Sequence, residues 1–160
     1  MDDKFTSLES LKRQMEISER DSINELKIGD IVYVPLDEED GLILNKGFDT
    51  RRKYVVVIGF TPEGIAVGAL LINSNIDVSK RSAELMDCQY PILARHYRSI
   101  LKYDSWLDGS DIFELSITKL NEREGKVKGS LIEDDRDRVM SFLKETDMID
   151  NFTKRRFGLI

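Results

Sequence analysis

Runs of apolar, mostly β-branched residues alternate with short polar segments in the first half of the chain. They predict strands at 31–36, 54–60 and 65–73, because runs of this length and composition are typical of buried strands. Proline and glycine between Thr61 and Gly64 predict a tight turn, so the second and third strands should form a hairpin. Gly68, inside the third strand, indicates a sharp bend or a close backbone approach.

The second half carries shorter and weaker patterns. We expect short strands at 89–93, 104–108 and 111–118, and a loop at 125–129. A closing helix is predicted from about 133 to about 145, because acidic residues open it, where they favour the helix dipole, and apolar residues then recur on one face.

The N-terminal segment has a helical pattern instead. Thr6 and Glu9 fit a capping box, and Leu8, Leu11 and Met15 follow at helical spacing, which predicts a helix from about 7 to about 24. The predicted fold class is therefore mainly β (α+β): a small, strongly bent antiparallel barrel with an N-terminal and a C-terminal helix.

Three regions follow from these patterns: an N-terminal helical extension (1–26), a barrel domain with its closing helix (27–145) and a basic C-terminal tail (146–160). The sequence has no window of 18 apolar residues and no apolar signal core at its N-terminus, so we expect no membrane association and a cytoplasmic location.

Charge is distributed unevenly along a chain of 160 residues whose net charge is −6. Residues 1–45 carry 5 Lys/Arg against 12 Asp/Glu, whereas residues 46–128 carry 13 against 11. The densest basic cluster is Arg51, Arg52 and Lys53, directly before the second predicted strand. This placement suggests an anionic ligand at one end of that strand.

The order of motifs resembles that of the MazF/PemK family of toxin endoribonucleases. The resemblance rests on Gly29-Asp-Ile-Val-Tyr-Val, on the basic triplet before Tyr54-Val-Val-Val-Ile58, on Val67 to Ser74, and on Lys102 to Asp108, Ile112 to Leu120 and Gly129 to Ile132 with the helix after it. It covers roughly residues 27–145. It implies a Src-homology-3-like barrel of the MazF/PemK and CcdB kind, homodimerisation, cleavage of single-stranded RNA without a metal or other cofactor, and an antitoxin protein as partner.

The resemblance also implies site residues. The family has Arg-Pro before the apolar strand, where this chain has Lys53-Tyr54 with two arginines upstream; the Thr or Ser ending the third strand falls at Asn73 or Ser74. Arg52, Lys53 and Ser74 are the implied catalytic residues, and Arg51 and Asn73 the implied RNA contacts. An arginine fork matches two phosphate oxygens, which suits stabilisation of charge on phosphorus.

Other interpretations of the basic triplet are open. Charges beside an apolar strand also suppress aggregation, which would make the triplet a gatekeeper without a ligand. A barrel of the same fold could bind nucleic acid or protein without catalysis. A third alternative is a structural or regulatory domain whose N-terminal helix is the main interface.

Further residues have two interpretations each. Aspartates in turns are acid–base candidates or turn caps, aromatics at strand positions stack on bases or fill the core, and the last basic triplet is a second nucleic-acid contact or a disordered end. The aspartates are Asp30, Asp104 and Asp108, and the aromatics are Tyr103 and Trp106. The last basic triplet is Lys154, Arg155 and Arg156. One cysteine and one histidine, Cys88 and His96, are too few for a zinc site, and we expect neither to be catalytic.

Overall fold

The computed structural model describes residues 23–40, 51–74 and 83–160. The strands of this part are β1 (Asp30–Leu36), β2 (Arg51–Phe60), β3 (Ala66–Asn73), β4 (Gln89–Ile92), β5 (Ser105–Asp108), β6 (Phe113–Ser116) and β7 (Lys126–Ser130). The α-helices are α1 (Ala83–Asp87), α2 (Ile117–Glu122), α3 (Glu133–Glu145) and α4 (Asn151–Arg156). The predicted N-terminal helix lies outside the described residues, except for its last two positions, which are in a turn.

The strands form one antiparallel sheet in the order β4-β5-β3-β2-β1-β7, with β6 also paired to β3. One edge of β3 pairs with β2. Its other edge changes partner: residues 66–69 pair with β6, and Ile72 and Asn73 pair with β5. The pairing of β2 with β3 is also interrupted by a register shift between Val57 and Gly59, an irregularity of the β-bulge kind, which increases the local bend and twist of a strand. The predicted mainly-β antiparallel class is confirmed, but the described strands do not close into a barrel, and β4 and β7 end the sheet.

The basic triplet lies inside a strand, not in the loop before it. Strand β2 begins at Arg51, three residues earlier than predicted, because β1 pairs with it as far as Leu36 opposite Arg51. Pairing through Pro35 opposite Arg52 and Val34 opposite Lys53 fixes the triplet in register. Its side chains therefore leave the strand on alternate faces.

Two other predictions differ from the structure. Residues 126–130 form the edge strand β7 where a loop was expected, because β1 offers them a ladder, and lysines at exposed positions are common on edge strands. The predicted strand 111–118 ends at Ser116, whose hydroxyl accepts a hydrogen bond of 3.0 Å from the amide of Lys119. This cap begins helix α2. Helix α3 has the predicted bounds.

The central part of the sheet, through Val55–Ile58 of β2 and the paired residues of β3, is buried on both faces. We call the face of Val56 and Ile58 the front face; it packs against Val139 and Leu143 of helix α3. The opposite or back face carries Val55 and packs against α2. Because a strand covered on both faces needs apolar residues at every position, the uninterrupted run in β2 has a direct explanation. Among the described residues, no helix is long and apolar enough to cross a membrane.

The C-terminal segment packs on the front face. Gly59 and Gly68 are paired across β2 and β3, and Phe157 lies against both. A Cβ atom at Gly59 would lie 2.2 Å from the Phe157 carbonyl oxygen, and one at Gly68 would lie 2.8 Å from its ring. Gly68 is thus closely approached by the side-chain ring of Phe157, whereas the backbone contact lies at Gly59. Residues 146–160, predicted as a basic tail, contribute Phe157 and Leu159 to the front core.

Candidate nucleic-acid interface

A cleft of about 300 Å³ lies beside the first four residues of β2. One part of its lining comes from the sheet, and another comes from the segment that leads into β5. The lining residues are cationic, aromatic, apolar or hydroxyl-bearing: Arg51, Arg52, Lys53 and Lys102; Tyr33, Tyr54 and Tyr103; Ile72, Ile100 and Leu101; Ser74 and Ser105. Among the described residues, four cations and no carboxylate line the cleft, and this charge favours an anionic ligand.

Arg52 lies on the front face with two tyrosines. Tyr33 and Tyr54 are directly opposite each other on β1 and β2, with ring centroids 4.6 Å apart and planes at 33°. The Arg52 guanidinium carbon is 5.9 Å from the centroid of the Tyr33 ring, a cation–π distance. No residue in the described part of the chain accepts a hydrogen bond from this guanidinium, whose recorded contact there is with the Tyr33 ring.

Tyr54 brings a hydroxyl to the same wall. Burial raises the pKa of Tyr54, and the neighbouring Tyr33 raises it further. The phenol therefore stays protonated at neutral pH, and it can donate a hydrogen bond to an anion but cannot itself carry a charge.

Lys53 lies on the back face, where it meets a second predicted site residue. Its ammonium donates a hydrogen bond of 2.9 Å to Asn73 Oδ1. Burial lowers the pKa of Lys53, and the charge of Arg51 lowers it further. A lysine with a lowered pKa gives up its proton more readily, which suits an acid in proton transfer.

The faces of the hairpin decide which predicted residues can act together. Pairing of Val55 with Leu71 places Lys53 opposite Asn73 by register, and Ser74, the first residue after β3, lines the cleft together with Arg52. Ser74 is exposed and lines the cleft, whereas Asn73 is absent from the lining and contacts Lys53. Asn73 and Ser74, the two candidates for the Thr or Ser that ends the third strand, thus have different neighbours.

The three aspartates considered as acids or bases have structural hydrogen bonds. Asp30 accepts from the Lys27 amide at 2.8 Å and from the Ser130 hydroxyl at 2.7 Å. Asp104 accepts from the Ala94 amide at 2.8 Å. Asp108 accepts from Ser110 and from the Gln89 side chain at 2.9 Å. Each carboxylate caps a turn or joins strands, which agrees with the turn-cap interpretation.

Cys88 and His96 are absent from the cleft lining. Cys88 is buried and its thiol contacts the Glu84 carbonyl oxygen at 3.2 Å. Burial raises the pKa of Cys88, and nearby carboxylates raise it further, which is the opposite of what a thiolate nucleophile requires. In the described part of the chain, no group of three or more His, Cys, Asp or Glu side chains could hold a metal ion.

The last basic triplet is mostly committed to the fold. Lys154 is buried, and its ammonium donates to the carbonyl oxygens of Lys144 at 2.9 Å and Thr146 at 2.6 Å, which end helix α3. Arg156 forms an ion pair with Glu114 of β6. Within the triplet, only Arg155 is exposed and makes no such contact with a described residue. The triplet is therefore not a second cationic cluster.

The cleft includes functional candidates that the sequence assignment missed. Tyr33, Tyr54 and Lys102 were not singled out, although tyrosines on adjacent strands were the available signal. Of the two interpretations of Tyr103, stacking on a base and filling the core, the structure excludes the core position, because 71% of the residue is exposed. Trp106 is partly buried, opposite Asn73, and lies outside the cleft.

No protein-family model and no curated protein matches the chain. Among solved structures, the chain is similar to one in a crystal structure of MazE–MazF from Deinococcus radiodurans. The match has a TM-score of 0.48 and 11% sequence identity, and it covers 74% of this chain and 92% of the other.

Proposed function

We propose that the protein binds single-stranded RNA in the basic cleft and cleaves it without a metal ion, as the toxin of a toxin–antitoxin pair. The observation that carries the proposal is that Arg52 and Ser74 line one cleft, which also holds Lys102. The motif resemblance assigns the chemistry, and the geometry supplies a site with cationic and hydroxyl groups for it.

In the proposed reaction, the ribose 2′-oxygen attacks the adjacent phosphorus and its proton passes to water. The bond from phosphorus to the 5′-oxygen breaks, which leaves a cyclic phosphate and a free 5′-hydroxyl. Arg52 binds two phosphate oxygens and stabilises the added charge, and Ser74 donates to one of them. Lys53, which also lines the cleft and has a lowered pKa, reaches the leaving 5′-oxygen from the other side of the phosphate and protonates it.

Cleavage in excess chelator tests this function. Wild-type protein should cut a mixed-sequence RNA and give products with a cyclic phosphate at one end. Ser74→Ala should slow cleavage more than it weakens binding, because one hydroxyl beside the phosphate matters most when charge builds in the transition state. An RNA left intact by the wild type would rule out catalysis.

One observation favours the second candidate, a binding module without catalysis. Arg52 and Lys53 leave β2 on opposite faces, so they approach a ligand from different sides and do not converge like a single clamp. In that case an uncleavable deoxy analogue binds the wild type while the corresponding RNA stays intact under every condition.

The proposed partners follow from the same cleft. An antitoxin that blocks it presents carboxylates to the cations and apolar groups to the tyrosines, because these replace phosphate and base. We also expect a homodimer in the cytoplasm. Light scattering tests the dimer, and a monomer at tens of micromolar, where a standard interface would hold, contradicts it.

A further inference from the structure

We infer that the cleft contains a subsite for one unpaired nucleobase, held between Tyr103 and the Tyr33–Tyr54 pair next to the phosphate on Arg52. This inference rests on the proposed function, since it concerns the ligand of the same cleft. It adds a requirement for a base with free faces, which phosphate binding by cations does not impose.

The sheet supplies one aromatic surface. The Tyr33 and Tyr54 rings are tilted at 33° with centroids 4.6 Å apart, and both side chains are only partly buried. Strand pairing fixes their backbones, and the Arg52 guanidinium beside Tyr33 extends the surface with a second planar group. Aromatic rings and guanidinium planes are the groups on which proteins stack unpaired bases.

The segment before β5 supplies the other aromatic group. Tyr103 is 71% exposed, although the residues around it are anchored: Leu101 is buried, and Asp104 accepts a hydrogen bond of 2.8 Å from the Ala94 amide. The Ser105 hydroxyl donates to the Tyr103 carbonyl oxygen at 3.0 Å. The backbone is thus held while the ring stays in solvent, as expected of a binding residue and not of a core residue.

Cations flank the aromatic groups. Lys102 precedes Tyr103, and Arg51 and Arg52 precede Tyr54, so both parts of the lining pair an aromatic ring with positive charge. A nucleotide chain presents the same combination of planar bases and phosphates. A cleft of about 300 Å³ has room for one base. Bases in a duplex have both faces covered, so they cannot enter between the rings.

Fluorescence anisotropy with matched oligonucleotides tests the subsite. The first probe is a short deoxythymidine oligonucleotide, and the second has the same number of phosphates but abasic sugars throughout. Wild-type protein should bind the intact probe about tenfold more tightly, from the stacking of one base. Tyr103→Ala should remove most of that preference, whereas Tyr103→Phe should retain it. Phe152→Ala, which removes an aromatic that is 73% exposed on α4, should leave it unchanged.

The outcomes separate the inference from the proposed function. Equal binding of intact and abasic probes overturns the base subsite while RNA binding stands. Equal binding of duplex and single strand also overturns it, as does a Tyr103→Ala variant that keeps the preference. If neither these probes nor a single-stranded RNA of the same length binds, the proposed function fails together with the subsite.

Discussion

The ammonium of Lys53 donates a hydrogen bond of 2.9 Å to Asn73 Oδ1, joining the beginning of β2 to the end of β3 on the back face. Lys53 is half-buried there, and its pKa is lowered by burial and then by Arg51. Asn73 therefore satisfies a cation that would otherwise lose hydration without compensation.

Replacing Asn73 tests the value of this contact. Asn73→Ala should lower the free energy of unfolding by about 1 kcal/mol, because it leaves the half-buried ammonium without its acceptor. Asn73→Asp keeps an acceptor and should retain wild-type stability. Urea denaturation followed by circular dichroism measures both variants, and an alanine variant as stable as the wild type would show that the hydrogen bond contributes nothing.

The two glycines beneath Phe157 should respond differently to alanine. Each substitution alone is expected to cost about 2 kcal/mol or more, because the new methyl group overlaps Phe157. At Gly68 the nearest atoms belong to the ring, so Phe157→Ala in the same chain should recover part of the loss. At Gly59 the nearest atom is the backbone carbonyl oxygen, and the second substitution should recover nothing.

Double-mutant cycles from thermal unfolding measure this difference. The predicted coupling is favourable for Gly68→Ala with Phe157→Ala and near zero for Gly59→Ala with Phe157→Ala. Equal coupling at both glycines would mean that Phe157 does not pack on them as described.

Lys154 should matter for stability and not for nucleic-acid binding. Lys154→Met should lower the free energy of unfolding by roughly 2 kcal/mol, because the carbonyl oxygens of Lys144 and Thr146 lose their donor. Arg155→Met, at the exposed neighbouring position, should stay within about 0.5 kcal/mol of wild type. Calorimetry checks both, and equal effects of the two substitutions would contradict the capping role.

The free energy of unfolding should depend on pH in the acidic range through Asp40. The side chain of Asp40 is 1% exposed and is paired with Lys119 and with Arg123, the latter at 2.5 Å. Burial opposes ionisation, but hydrogen bonds from Lys119, the Asp37 backbone and Arg123 outweigh it and lower the pKa of Asp40 from 3.8 to about 2. Because the folded-state pKa is the lower one, the ionised group stabilises the protein above pH 4. That contribution is lost as the pH falls through about 2.

Asp40→Asn isolates this contribution. The variant should be less stable than wild type by about 2 kcal/mol at pH 7, and the difference should shrink as the pH falls from about 4 to about 2. Urea titrations at pH 2 to 7 measure it. A difference that stays constant over that range would mean that the ion pairs do not hold Asp40 ionised.

The strongly apolar strands and helix α3 could be predicted from the sequence because local patterns specify them. Strand β7 could not, since Lys126 to Ser130 carry too few apolar residues and become a strand only through pairing with β1. The start of β2 was missed for the same reason. Arg51 to Lys53 lack the apolar pattern of a strand, and they belong to β2 because they pair with β1.

The site was predictable in composition but not in geometry. The sequence indicated Arg51, Arg52 and Lys53 as one cluster, whereas the register divides them between two faces. Tyr33 and Tyr54 become a pair only once the strands are aligned, because nothing in the sequence fixes which residue of β1 faces which of β2.

The most direct test of the central claim is the affinity of an uncleavable single-stranded deoxy oligonucleotide for the wild type, Arg52→Ala, Lys53→Ala and the exposed control Arg155→Ala. Binding to the basic cleft predicts that Arg52→Ala weakens binding about tenfold, because a two-pronged contact is lost, and that Lys53→Ala weakens it less. It also predicts that Arg52→Ala lowers the slope of log affinity against log salt by about 0.7 per lost phosphate contact, with Arg155→Ala unchanged. Wild-type affinity and salt dependence in Arg52→Ala would contradict the claim.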